Sequence, residues 1–169
     1  MGAPAPELVD HWLAKAFNSQ DVDAAARLYH PEASVVRLTQ VHGSDAVAKG
    51  SAAIKEFMAG YIGLKPHMDV VVHHTTVVGD FALCRSQWLI SGVDKHGKKL
   101  EVHHHGMEVM RRLPDGEWVF FIDHPWGADE SWAVARPPHG PDGVSRQSAF
   151  SRTTKPRSSR SGVPTLASP

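Results

Sequence analysis

The chain has 169 residues, 18 of them basic and 18 acidic, with a hydrophobic fraction of 41% and a single cysteine. That length suffices for one domain with its own core, and Cys84 alone excludes an internal disulfide. No stretch approaches the roughly 18 apolar residues of a membrane span, and no basic stripe interleaved with aromatics marks a nucleic-acid reader, so neither a membrane nor a nucleic acid is expected as a partner.

The zero net charge conceals an asymmetry. Arg136, Arg146, Arg152, Lys155, Arg157 and Arg160 lie beyond residue 135 against Asp142 alone, which leaves 12 basic and 17 acidic residues, a net of −5, in residues 1–135. The segment PPHGPDGVSRQSAFSRTTKPRSSRSGVPTLASP is rich in Pro, Ser, Arg and Gly and lacks apolar periodicity. Such a segment buries too little surface to offset its ordering entropy, so residues 136–169 are expected to be a disordered basic tail and residues 1–135 the folded domain. The opening MGAPAPELVD has no basic region followed by an apolar run. It does not read as a signal peptide, and with the lone cysteine it points to the cytoplasm.

In chain order, ELVDHWLAKAFN places Leu8, Val9, Trp12, Leu13, Ala16 and Phe17 at helical spacing. Asp21 caps a second helix, VDAAARLYH, which Pro31 ends. ASVVRL (33–38) reads as a short strand, and Ser51 caps a third helix, AAIKEFMAGYIG. From residue 68 the period changes to two: MDVVVHHTTVV, FALCRSQWLISG, LEVHHHGMEVMRRL and EWVFFIDH read as strands joined by the short turns GD, DKHGKK and PDG. Helices followed by an antiparallel meander predict an α+β domain.

Several of these segments carry a family likeness. They are Asn18-Ser19-Gln20-Asp21-Val22-Asp23, Leu28-Tyr29-His30-Pro31-Glu32-Ala33, Gly50 with Ala53-Ile54 and Phe57, Gly79-Asp80-Phe81-Ala82-Leu83, and Arg111-Arg112 with Asp115-Gly116-Glu117-Trp118. In this order, over about residues 7 to 127, the chain resembles the NTF2-like superfamily, and within it the SnoaL-like and ketosteroid-isomerase-like proteins. The resemblance implies a cone: a curved antiparallel sheet around the N-terminal helices, enclosing an apolar pocket. In similar proteins the pocket hosts isomerases, dehydratases, polyketide cyclases and epoxide hydrolases, or only binds a ligand. It also implies a homodimer. The general-base position of the ketosteroid isomerases falls at Arg37, their helix-one tyrosine at Trp12 and their second acid near Met107. All three depart from that pattern, so steroid isomerisation is not expected.

Strand alternation supplies the site candidates. Ala82, Cys84, Ser86, Trp88 and Ile90 suit a pocket wall. Laid on the isomerase pattern, the next strand turns His103, His105 and Met107 inward, and the last strand turns Val119, Phe121 and Asp123 inward. Trp118, Phe120, Ile122 and His124 then face outward. A slip of one residue reverses each assignment. Asp123 beside His105 or His103 makes an acid–base dyad in which the carboxylate orients the imidazole. Two other readings of the histidines stay open: polar groups satisfied by their neighbours, or a metal site joining His103 and His105 with His73 or His74. An inward Arg37 needs an anion, either Asp123 or a substrate carboxylate or enolate. Trp12, Tyr61, Cys84, Ser86, Trp88, Met107, Phe121 and His124 are the expected substrate wall. The sequence thus leads us to expect an isomerase, dehydratase or cyclase of polyketide-like metabolism, acting without cofactor or metal on a small apolar carbonyl compound. The alternative is a ligand-binding or scaffold protein of the same fold.

Overall fold

The computed structural model describes residues 2–37, 46–94 and 96–129. The expected tail lies outside the described residues. The element order is α1 (Leu8–Asn18), α2 (Val22–Arg27), β1 (Tyr29–Val36), β2 (Val47–Lys49), α3 (Gly50–Ile62), β3 (His67–Val78), β4 (Phe81–Val93), β5 (Lys99–Arg112) and β6 (Trp118–His124). The strands form one curved sheet in the order β2-β1-β6-β5-β4-β3. β3 to β6 are the expected antiparallel meander, whereas β1 joins β6 in parallel. This is an α+β architecture. No helix among the described residues is long and apolar enough to cross a membrane.

Local chemistry explains most boundaries. Asp21 accepts a hydrogen bond from the Ala24 amide at 2.8 Å and opens α2, as expected of an N-cap. Gly79 adopts φ +59° in the β3–β4 turn, a conformation that glycine enters without steric cost. Asn18, at the end of α1, donates to the Met68 carbonyl at 2.9 Å and accepts from the Met68 amide at 2.7 Å. This double bond ties the first helix to β3 across 50 residues of sequence.

Two expectations are corrected. The second helix stops at Arg27, and Tyr29 and His30 belong to β1. Pro31 disfavours the helical region for His30, and Tyr29 gains a partner in β6, where its ring stacks on Phe120 at 4.8 Å. Ser51 does not cap α3: the N-cap is Lys49, which makes no side-chain cap bond.

The inner face of the sheet and the apolar sides of α1 and α3 make one core, with Val9, Val35, Ile54, Met110 and Phe120 essentially sealed from solvent. Each such side chain contributes roughly 1.5–3 kcal/mol relative to exposure.

Candidate functional site

Within this core lies a pocket lined by Leu13, Phe17, Phe57, Met58, Tyr61, Met68, Trp88, Ile90 and Pro125 together with three acids, Asp10, Glu108 and Asp123. Its water-accessible volume is about 50 Å³, within about 490 Å³ of empty space that includes the open mouth. No Lys, Arg or His is among these lining residues. The three acids are only 5%, 2% and 5% exposed, respectively.

Different elements supply them. On α1, Asp10 shares a face with Leu13 and Phe17, at spacings of three and seven residues, and is carried inward with them. On the sheet, Glu108 of β5 and Asp123 of β6 are direct cross-strand partners, so their side chains leave the same face. Beside Glu108, β4 presents Ser86, whose hydroxyl donates to Glu108 Oε1 at 2.7 Å. From β1, the Tyr29 hydroxyl donates to Asp123 Oδ2 at 2.6 Å. Asp10 Oδ2 and Glu108 Oε2 are buried without a hydrogen-bond partner among the described residues.

Burial sets the protonation pattern. Desolvation pushes Asp123 up to about 6, while the Tyr29 hydroxyl works the other way by favouring its charged form. Desolvation pushes Asp10 to about 8 and Glu108 to about 10, and the Asp123 charge adds to both. Asp123 is therefore the readiest to ionise, and burial first, then the neighbouring acids, keep protons on the other two. Burial thus favours ionisation at Asp123 and protonation at Asp10 and Glu108, the pairing needed for base and acid chemistry. Tyr29 is held well above its ordinary value by burial and then by the Asp123 charge, so it stays a hydrogen-bond donor.

The structure places the anticipated residues as follows. Asp123 is inside, as are Ala82, Cys84, Ser86, Trp88 and Ile90 of β4. Trp88 and Tyr61 line the pocket. Cys84 lies beneath the wall, and burial pushes its thiol up to about 12. On β5 the phase is reversed. His104, Gly106, Glu108 and Met110 pair with the inward residues Trp88, Ser86, Cys84 and Ala82, so His103, His105 and Met107 point outward.

On β6 a register shift between Val109 and Met110 leaves Phe121 unpaired in the ladder, so Trp118 and Phe120 turn inward in phase with Asp123. Phe121 is instead on the outer face, 6.0 Å from Phe81 and 5.3 Å from the Arg111 guanidinium. Trp12, 37% exposed, sits two residues from Asp10 and thus on the far side of α1. Arg37 is exposed in a surface depression with Glu56, Phe57, Gly60, Tyr61 and Leu64. His124 packs edge-on against Trp126 at 4.7 Å, and burial lowers its pKa.

The histidines have other partners. His103 bonds Gln87 at 2.9 Å, and Gln87 bonds His73 at 3.1 Å, all in exposed positions. His104 Nδ1 lies 2.6 Å from Asp129 Oδ2, while the His105 amide donates to Asp129 Oδ1 at 2.8 Å. No group of three or more His, Cys, Asp or Glu among the described residues is arranged to hold a metal ion.

The sequence reading missed Asp10, Tyr29 and Glu108. Asp10 had a signal, since an acid at helical spacing from Leu13 and Phe17 must enter the core or break the stripe.

Comparison with known proteins agrees with this architecture. The model of the SnoaL-like domain matches residues 9–121. No curated protein matches the chain. Among solved structures, a ketosteroid isomerase-like protein from Erwinia carotovora atroseptica is 16% identical with a TM-score of 0.60, covering 70% of this chain and 89% of its own. An NTF2-like protein with a cystatin-like fold from Novosphingobium aromaticivorans is 19% identical with a TM-score of 0.58, covering 75% and 82%. A candidate calcium/calmodulin-dependent protein kinase II association domain from Xanthomonas campestris is 20% identical with a TM-score of 0.56, covering 69% and 81%. At these identities the structures speak to the fold alone. With the family model spanning two thirds of its length, the chain belongs to the SnoaL-like family, on an NTF2-like fold.

Proposed function

We propose that the protein is an acid–base catalyst of the isomerase, dehydratase or cyclase type acting on a small, neutral, apolar carbonyl compound of polyketide-like character. The observation that carries this reading is one ionisable base, Asp123, sharing an apolar pocket with two buried, unpartnered acid oxygens. Tyr29 occupies Asp123 Oδ2 and leaves Oδ1 as the basic oxygen. Oδ1 takes a proton from the carbon next to the carbonyl; the C–H electron pair forms a new C=C bond and the carbonyl π pair moves onto oxygen. Protonated Glu108 and Asp10 hydrogen-bond that oxygen as charge develops. Return of the proton at another carbon as the carbonyl re-forms completes an isomerisation; in a dehydration the enolate collapses to C=O, the α,β double bond forms, the β C–O bond breaks, and the proton leaves with the hydroxyl as water. A pocket lined by acids and by no basic residue favours neutral over anionic substrates. In this reading Asp123 itself is the base, in place of His103 or His105, and Tyr29, Glu108 and Asp10 are the hydrogen-bond donors around it.

The same reading includes a homodimer through the outer sheet face, where Phe81, Leu83, Met107 and Ile122 are exposed. It also includes a reducing, cytoplasmic setting that suits the free Cys84. The test is a screen of β,γ-unsaturated ketones and β-hydroxy ketones for double-bond migration or loss of water, followed by D123N and H105A. D123N should lower turnover by about 10²–10⁴-fold and H105A should leave it nearly unchanged. Equal activity of D123N and the wild type overturns the assignment.

A second reading, a ligand-binding or scaffold protein, draws on the small water-accessible volume and on the likeness to a candidate association domain. It predicts a stable assembly and no turnover of any screened ketone.

A further inference from the structure

Ser86, Gly106 and Glu108 meet at one point on the inner sheet face. Ser86 and Gly106 are cross-strand partners, and Cys84 and Glu108 are the next inward pair. A Cβ on Gly106 would overlap Glu108 Oε1 and lie 2.5 Å from Ser86 Oγ. The carboxyl therefore folds back along its own strand into the space a side chain at 106 would fill. There Oε1 accepts the Ser86 hydroxyl at 2.7 Å, while Oε2 is buried without a partner. In this hydrogen bond the Ser86 hydroxyl is the donor and Oε1 the acceptor. When Glu108 is protonated, its hydrogen then resides on Oε2.

We propose that Ser86 and Gly106 are positioning residues that tie Glu108 Oε1 back to the sheet and turn Oε2, with its proton, into the pocket. The carboxyl is thereby aimed in advance at one ligand atom, a hydrogen-bond-accepting oxygen. A freely rotating carboxyl would present acceptor and donor to the pocket alternately; this one presents the donor. Neither residue lines the pocket, and both act through Glu108. The inference rests on the acid role given to Glu108 above, but its test needs no substrate.

The experiment is infrared spectroscopy of the full-length protein at neutral pH. There exposed carboxyls are ionised, and only buried protonated acids absorb in the carboxylic C=O region. The wild type minus E108Q difference assigns the Glu108 band. S86A removes the donor to the carbonyl oxygen, so this band should shift to higher frequency, and S86T should restore it. G106A should displace the carboxyl and move or broaden the band. A Glu108 band unmoved in S86A overturns the proposal, and so does the absence of any Glu108 band. Should G106A fail to fold, the S86A and S86T pair still decides. Loss of the acid–base reading would show separately, as D123N turning over like the wild type while the S86A shift persists.

Discussion

The inner and outer faces of β5 are built from alternate residues of one 14-residue strand, yet they carry different chemistry. Inward, Gly106, Glu108 and Met110 are buried between β4 and β6, and Glu108 keeps its proton far above the usual carboxylate range. Outward, His103, His105 and Met107 share the surface with Gln87, His73 and solvent. The histidines are the residues that attract attention in the sequence, three in a row. Glu108 is the residue whose carboxyl the fold buries and whose pKa it raises. Residue type suggests a capacity for acid–base work, and burial decides which residue has it.

This contrast can be broken or sharpened by experiment, beginning with the largest effect. With an active ketone in hand, the rate should follow a bell in pH. It should rise about tenfold per unit up to about 6 as Asp123 ionises, and decline above about 8 as Asp10 loses its proton. A profile governed instead by one group that H105A removes would return catalysis to the outer face.

Next is stability. The folded state keeps protons on Asp123, Asp10 and Glu108 that the unfolded chain has released, so stability falls as pH rises from about 4. Each acid stops contributing once pH passes its folded value, about 6, 8 and 10 in turn. The slope is at most about 1.4 kcal/mol per pH unit for each acid. E108Q keeps an oxygen for Ser86 and has no proton to hold. Relative to the wild type it should gain on the order of 2–3 kcal/mol between pH 5 and 7 in urea titrations. An unchanged slope in E108Q means that Glu108 is already ionised when folded.

Y29F removes the hydroxyl that favours the charged form of Asp123. The Asp123 midpoint should move up, shifting the acid limb of the rate profile to higher pH, and stability should fall by about 1 kcal/mol. The smallest effect belongs to the outer face: H103A should change the urea midpoint by no more than about 0.5 kcal/mol equivalent. A larger loss would give the Gln87 chain a structural role that its exposure does not suggest.

Much of the fold was legible in the residues. Asp21 announced its helix by cap chemistry, Gly79-Asp80 and Pro114-Asp115-Gly116 announced their turns, and β4 declared its inner face because Cys84, Trp88 and Ile90 alternate with Arg85 and Gln87. β5 declared nothing, because Val102, His104, Glu108 and Met110 are no more apolar as a set than His103, His105, Met107 and Val109. With polar and apolar residues on both faces, a period of two is visible and its phase is not. The β6 bulge is hidden for a related reason: Val119, Phe120, Phe121 and Ile122 are all apolar, so an extra residue leaves no mark on the pattern.

The sequence by itself determined the α+β class, the three helices, the four-strand meander and its turns, because capping, turn geometry and period-two alternation act over a few residues. Only the tertiary structure decided that Asp10, Glu108 and Asp123 share one pocket and that Tyr29 and Ser86 bond two of them. Those contacts depend on cross-strand register and on the docking of α1, which pair residues up to 94 apart in the chain. The protonation pattern follows from the same assembly. Raised carboxyl pKa values require water to be excluded and charges to be brought together, and neither happens until the core closes.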